Sequence, residues 1–178
     1  MKEFTLEFAD NDKFDKAETV TTKAGKKSQT LSFDEITYTL GSLKKNESDV
    51  PGRGASKEFT YYVREQQPTT PFTNYRYDQS IYQITVTAAD DSNGKINISA
   101  TYKQIQDRDG NPVNNGAERT FSETDNPTFT NTYSTSLPLS GMSGVTLTYL
   151  AGAAVLCAAA AWMHIRRKAN AKGGERRE

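Results

Sequence analysis

Apolar and polar residues alternate with period two through most of the chain before residue 134, and no 3.6-residue period interrupts them. Phe4, Leu6 and Phe8 share one side of an opening segment, which predicts a strand with one buried face that Asp10-Asn11-Asp12 then breaks. A polar stretch to Thr30 predicts a weak hairpin about Ala24-Gly25, after which Leu31 and Phe33 lead into a strand at Ile36-Thr37-Tyr38-Thr39. Gly41 to Ser56 is rich in glycine, lysine and serine, which predicts a long surface loop, a mobile insertion in the domain. Phe59, Tyr61 and Val63 resume the alternation, and the next residue on that face is Glu65. Pro68 and Pro71 mark residues 66–74 as a connection.

The clearest local pattern is a long antiparallel hairpin. Tyr82, Ile84, Val86 and Ala88 alternate outward, Asp91-Ser92-Asn93-Gly94 turns, and Ile96, Ile98, Ala100 and Tyr102 alternate back. Asp107-Arg108-Asp109-Gly110-Asn111 makes a further turn, and Phe129, Asn131 and Tyr133 share a face of a last strand. Some seven short strands without a helix predict an all-β, two-sheet antiparallel sandwich over residues 1–134.

The pattern changes at Val145. Residues 145–165 hold no Asp, Glu, Lys or Arg, and as a helix they span roughly 31 Å, about the hydrocarbon thickness of a bilayer. Tyr149 and Trp162 lie near its two ends, and Arg166-Arg167-Lys168 follow, which predicts a single C-terminal transmembrane helix with residues 166–178 as a basic cytoplasmic tail. Residues 135–144 form a linker, and within it Leu137-Pro138-Leu139-Ser140-Gly141 resembles the LPxTG sorting signal of Gram-positive surface proteins, with signal, span and basic tail in that family's order. The resemblance implies that a sortase thiol attacks the carbonyl of Ser140, that Gly141 and everything after it leave, and that the domain is anchored to peptidoglycan or a neighbouring pilin subunit. The membrane then holds only the precursor. Ser140 stands where threonine is usual; it keeps the hydroxyl and loses a methyl.

Charge and composition narrow the function further. The formal net charge of zero divides into six basic and two acidic residues in 166–178, against 16 basic and 20 acidic residues before them, so the outer domain is acidic and gives no footprint for nucleic acid. The single cysteine, Cys157, and the single histidine, His164, both fall in the apolar segment. The outer domain therefore has no disulfide, no Cys or His nucleophile and no zinc ligands of those types, and no cofactor is expected. Met1-Lys2-Glu3-Phe4 runs straight into a strand without a secretory leader, while the topology demands export, which predicts either a longer precursor or a misplaced start.

Two polar residues fall on apolar faces. Parity aligns Glu65 with Phe59, Tyr61 and Val63, and sets Asn131 between Phe129 and Tyr133. A carboxylate facing a core costs several kcal/mol unless it is paired or neutralised, and a buried amide needs partners. Either both lie at strand ends open to water, or both are buried for a purpose.

Four blocks in order, Phe4-Thr5-Leu6-Glu7-Phe8, Phe59 to Glu65, Tyr77-Asp78 leading to Tyr82 through Thr87, and Phe129-Thr130-Asn131-Thr132-Tyr133, resemble the streptococcal pilin isopeptide-linkage domain. The resemblance covers nearly all of residues 3–133. It implies a β-sandwich related to the Cna B type, in which a lysine amine condenses with an asparagine amide and a glutamate assists. Carried onto this chain, Asn131 is the acceptor amide and Glu65 the assisting acid. The family's donor lysine sits on a strand ahead of the Phe-Thr-x-x-Phe block, which places it upstream of Met1. Lys2 has the parity of Phe4, Leu6 and Phe8 but does not match that position.

The alternative functions are an adhesin module that contacts a host ligand, and the anchor region of a surface enzyme. Asp107-x-Asp109-Gly110-Asn111 lacks the EF-hand glycine position and later glutamate, and reads as a plain turn. Asn46-Glu47-Ser48 and Asn97-Ile98-Ser99 match the N-glycosylation pattern, which carries little weight in a bacterial cell.

Overall fold

A computed structural model describes residues 2–46, 48–135 and 149–156. Two antiparallel sheets pack face to face. Strands β1 (Thr5–Ala9), β2 (Glu18–Thr21), β3 (Ser56–Glu65), β5 (Ile81–Asp90), β6 (Ile96–Gln106) and β7 (Arg119–Thr120) form the larger sheet in the order β2-β1-β3-β5-β6-β7. Strands β4 (Tyr75–Arg76), β8 (Thr128–Thr135) and β9 (Tyr149–Leu156) form the smaller one in the order β4-β8-β9.

The inward faces are the ones the alternation marks. Leu6, Phe8, Val63, Ile84, Val86 and Tyr102 from the larger sheet meet Phe129 from the smaller, with Leu6, Val63 and Phe129 fully buried. The β5/β6 hairpin pairs from Ile81↔Gln106 to Asp90↔Ile96. Its turn is closed by Asp91, whose Oδ1 accepts the N–H groups of Asn93 and Lys95, and by Gly94 at φ +85°. That left-handed conformation is open to glycine at little cost.

Four regions depart from the sequence expectation, three of them ahead of β3. The hairpin about Ala24-Gly25 does not form: β2 pairs with β1 instead, from Thr5↔Thr21 to Phe8↔Glu18. Residues 31–39 are not a strand. Leu31 and Phe33 bury their side chains, and Tyr38 packs against the ring of Phe59 at 4.7 Å, so the segment covers the core by side-chain contact without joining a ladder. The loop beyond it is tethered at several points. A 3-10 turn at Leu40–Leu43 buries Leu43 at 1 % exposure, Lys57 Nζ donates to the Lys44 carbonyl, and Gly54 N–H donates to the Asp90 carboxylate.

The C-terminal segment differs most. Tyr149–Leu156 is a strand paired with β8 along its whole length, from Thr128↔Leu156 to Thr135↔Tyr149, where the sequence predicts the helix of 145–165. The reason lies in β8. Its other neighbour, β4, pairs with it at only two positions, and an uncharged run gives no periodicity that separates strand from helix. No helix among the described residues is long and apolar enough to cross a membrane. The rest of that run, the motif Leu137 to Gly141 and the tail 166–178 lie outside the described residues.

Candidate functional site

Glu65 closes β3, with Val63 on the same inward face, and its register partner on β1 is Leu6. Asn131 stands in β8 two residues after Phe129. The strands belong to different sheets, so their inward side chains approach each other across the sandwich. Both are enclosed, Glu65 at 1 % and Asn131 at 0 % exposure. Of the two arrangements the sequence leaves open, burial is the one present.

The Asn131 carboxamide is held at both ends. Its Nδ2 donates to Glu65 Oε2 at 2.6 Å, and its Oδ1 accepts the backbone N–H of Asp78 at 2.7 Å. These partners fix which end of the amide faces which strand. Asp78 sits in the short link between β4 and β5 and is itself buried. Its carboxylate accepts two backbone N–H groups, Ser80 through Oδ1 at 2.9 Å and Thr130 through Oδ2 at 2.7 Å. Gln67 Nε2 donates to the carbonyls of Asp78 and Glu65, which ties the two backbones together.

Burial among Leu6, Val63 and Phe129 pushes the Glu65 carboxyl up to about 8. The Asn131 hydrogen bond opposes this, the Asp78 charge reinforces it and the Arg108 charge opposes it. Glu65 is therefore mostly protonated at neutral pH. Its Oε1 is buried with no hydrogen-bond partner, as is Arg108 Nε, although Arg108 Nη2 donates to Thr132 Oγ1 at 3.0 Å. A buried polar atom without a partner costs about 1–3 kcal/mol, so this corner carries a local cost in stability.

The structure brings Glu65 and Asn131 together and leaves Lys2 apart. Lys2 is exposed, and its amine lies 4.5 Å from the centroid of the Phe72 ring. No lysine among the described residues is buried; Lys57 and Lys103 are half-buried and the rest exposed. Among the described residues no three His, Cys, Asp or Glu side chains are grouped to hold a metal. The Asp107 turn is held by its own Oδ1, which accepts the N–H groups of Asp109 and Asn111, and Arg76 pairs with Asp109.

Periodicity missed Asp78 and Arg108, since both lie in connections where it carries no information. The signal that marks Asp78 is local: Asp78-Gln79-Ser80 is the spacing of an Asx turn, with the carboxylate accepting the N–H two residues on.

The sequence model of one family, described as FctA: Spy0128-like isopeptide containing domain, matches residues 1–134. No curated protein and no solved structure matches the chain.

Proposed function

The chain belongs to the FctA family of Spy0128-like isopeptide containing domains, a pilin type of surface domain, and from that premise we propose that Asn131 is the acceptor of an internal isopeptide bond assisted by Glu65. The observation that carries this reading is a fully buried carboxamide gripped between a raised carboxyl and a backbone N–H. A neutral lysine Nζ attacks Cγ of Asn131, and the charge that develops on Oδ1 is met by the Asp78 N–H. The Glu65 proton passes to Nδ2, the Cγ–Nδ2 bond breaks, and ammonia leaves; a proton lost from Nζ returns the carboxyl to its starting form. The product is a secondary amide joining two strands, a brace that needs no cysteine and resists reducing agents. The Glu65 Oε1, without a partner in the fold, is free to hydrogen-bond the incoming amine.

The donor in this proposal is a lysine on a strand laid along β8; no lysine among the described residues is buried there. The proposed sorting signal bears on this directly. Within a bilayer, residues 145–165 must satisfy their backbone groups internally, and a helix is the way a single segment does so. Once that run is in the membrane, the β8 edge is open to another strand. Sortase then cleaves after Ser140, leaving the domain on peptidoglycan or a neighbouring pilin subunit at the cell surface. Its work is mechanical.

Intact mass tests the bond. Protein from its own cells, with every residue its gene encodes, is expected about 17 Da below its sequence mass for the loss of ammonia, after allowance for processing. Glu65→Ala and Asn131→Ala each abolish the deficit. A full sequence mass in the wild type overturns the acceptor assignment. A mature form that ends at Ser140 in the wall fraction supports anchoring, and residues 141–178 still attached in sortase-competent cells refute it.

A further inference from the structure

Strand β4 stops early, and its register shows what takes over. Tyr75 pairs with Tyr133 and Arg76 with Thr132, so two further steps set Asp78 opposite Thr130. There the chain turns away toward β5, and the Asp78 carboxylate, not a backbone carbonyl, accepts the Thr130 N–H. Its second oxygen accepts Ser80 N–H, which fixes the turn. The Asp78 backbone N–H is thereby released from the ladder and directed to the Asn131 side-chain oxygen.

Resting on the acceptor reading above, we infer that Asp78 is a positioning residue for isopeptide formation: its carboxylate ends the β4/β8 ladder so that its own N–H grips Asn131 Oδ1 and turns Nδ2 toward Glu65. An asparagine side chain has two nearly isosteric ends, and only the hydrogen bonds around it select one. Without this grip, Oδ1 and Nδ2 exchange places at little steric cost, and the leaving nitrogen no longer faces the acid. Burial of Asp78 at 3 % exposure, with both oxygens satisfied, gives the anchor little freedom. The two charged groups beside Glu65 are Asp78 and Arg108. Removing the first leaves the second to draw the carboxyl toward ionisation.

The test follows ammonia loss by mass in freshly synthesised full-length wild type, Asp78→Asn and Asp78→Ala. Asp78→Ala is expected to slow the reaction by about ten-fold or more, since a small misplacement of reacting groups has effects of that size. Asp78→Asn, which keeps one acceptor oxygen, falls between the two, and its rate declines at lower pH than the wild type as Glu65 ionises earlier. A merely structural role lowers the melting temperature without moving that limb. Where Asp78→Ala does not fold, Asp78→Asn carries the test. A wild-type rate and limb in Asp78→Asn overturn the positioning role and leave the acceptor assignment standing. If the wild type loses no ammonia, the acceptor assignment fails and the grip is read on the intact amide by NMR. Asn131 side-chain protons that exchange about ten-fold faster in Asp78→Asn then support positioning, and equal exchange overturns it.

Discussion

Glu65→Gln replaces a buried titrating group with a neutral one of nearly the same shape, and the pH dependence it removes can be worked out. In the folded chain the Glu65 carboxyl titrates at about 8, raised from 4.5 chiefly by burial. Between those values the folded state holds a proton that the unfolded chain has released, so stability falls as pH rises through the window. At about 1.4 kcal/mol per unit, the cost accumulated from about pH 5 to about pH 8 is about 3 to 4 kcal/mol. Below about pH 4 it is nearly absent. The glutamine keeps an oxygen for Asn131 Nδ2 but buries an amide nitrogen near where Oε1 lies unpartnered, a penalty that does not depend on pH. Urea unfolding of unlinked protein, identified by its full sequence mass, is expected to show the wild type losing about 3 kcal/mol relative to Glu65→Gln across that range. A wild-type minus variant difference that is flat with pH would mean that Glu65 is ionised in the fold, and would refute the argument from burial.

Asn131→Ala in unlinked protein leaves the Asp78 N–H and Glu65 Oε2 without partners, and is expected to cost about 2 to 3 kcal/mol by denaturant melt. A cost below about 0.5 kcal/mol would show that water reaches the site. Phe129→Ala opens the centre of the core at a residue of 0 % exposure, with an expected loss of about 3 to 5 kcal/mol. Gly110→Ala is expected to lower stability by about 1 kcal/mol, since Gly110 has φ +84° and an added Cβ would lie 2.9 Å from Gln79 Oε1. In the 178-residue chain, where β9 covers β8, deleting residues 149–156 uncovers the β8 edge, and size-exclusion chromatography is expected to show self-association that the undeleted 178-residue chain lacks. A monomeric deletion variant would show that the edge is protected in another way.

The fold was legible where a strand buries one face against the other sheet. In β3, β5, β6 and β8 the apolar residues recur at every second position, and parity set Glu65 and Asn131 on the apolar faces while leaving open whether water reaches them. It failed where burial and pairing separate. Leu31, Phe33, Ile36 and Tyr38 have the composition of strand residues, but the step from 33 to 36 breaks the parity and the segment contributes side chains to the core without a ladder. Strand β4, two residues long, is too short for any periodicity. Periodicity gave Asp78 no role for the same reason, although it holds the amide that parity had found.

β8 joins the fold to the chemistry because its two edges are satisfied so differently. One is paired with β4 at two positions and then handed to the carboxylate of Asp78; the other is paired for eight residues with β9. The first arrangement is made wholly within the domain, with the Asp78–Ser80 turn fixing the carboxylate that meets Thr130. The second recruits Tyr149–Leu156, a segment equally suited by its lack of charge to a bilayer. Covering the β8 edge and spanning a membrane are exclusive demands on the same residues. In the proposed life of the protein they fall at different stages, and insertion of the segment is what opens β8 to a lysine-bearing strand. The bond would then form beside a strand that spans the contact between the two sheets. A covalent link there ties β8 directly to the incoming strand, so that pulling on the C-terminal end of the domain loads an amide bond and not only the hydrogen bonds of a three-stranded sheet.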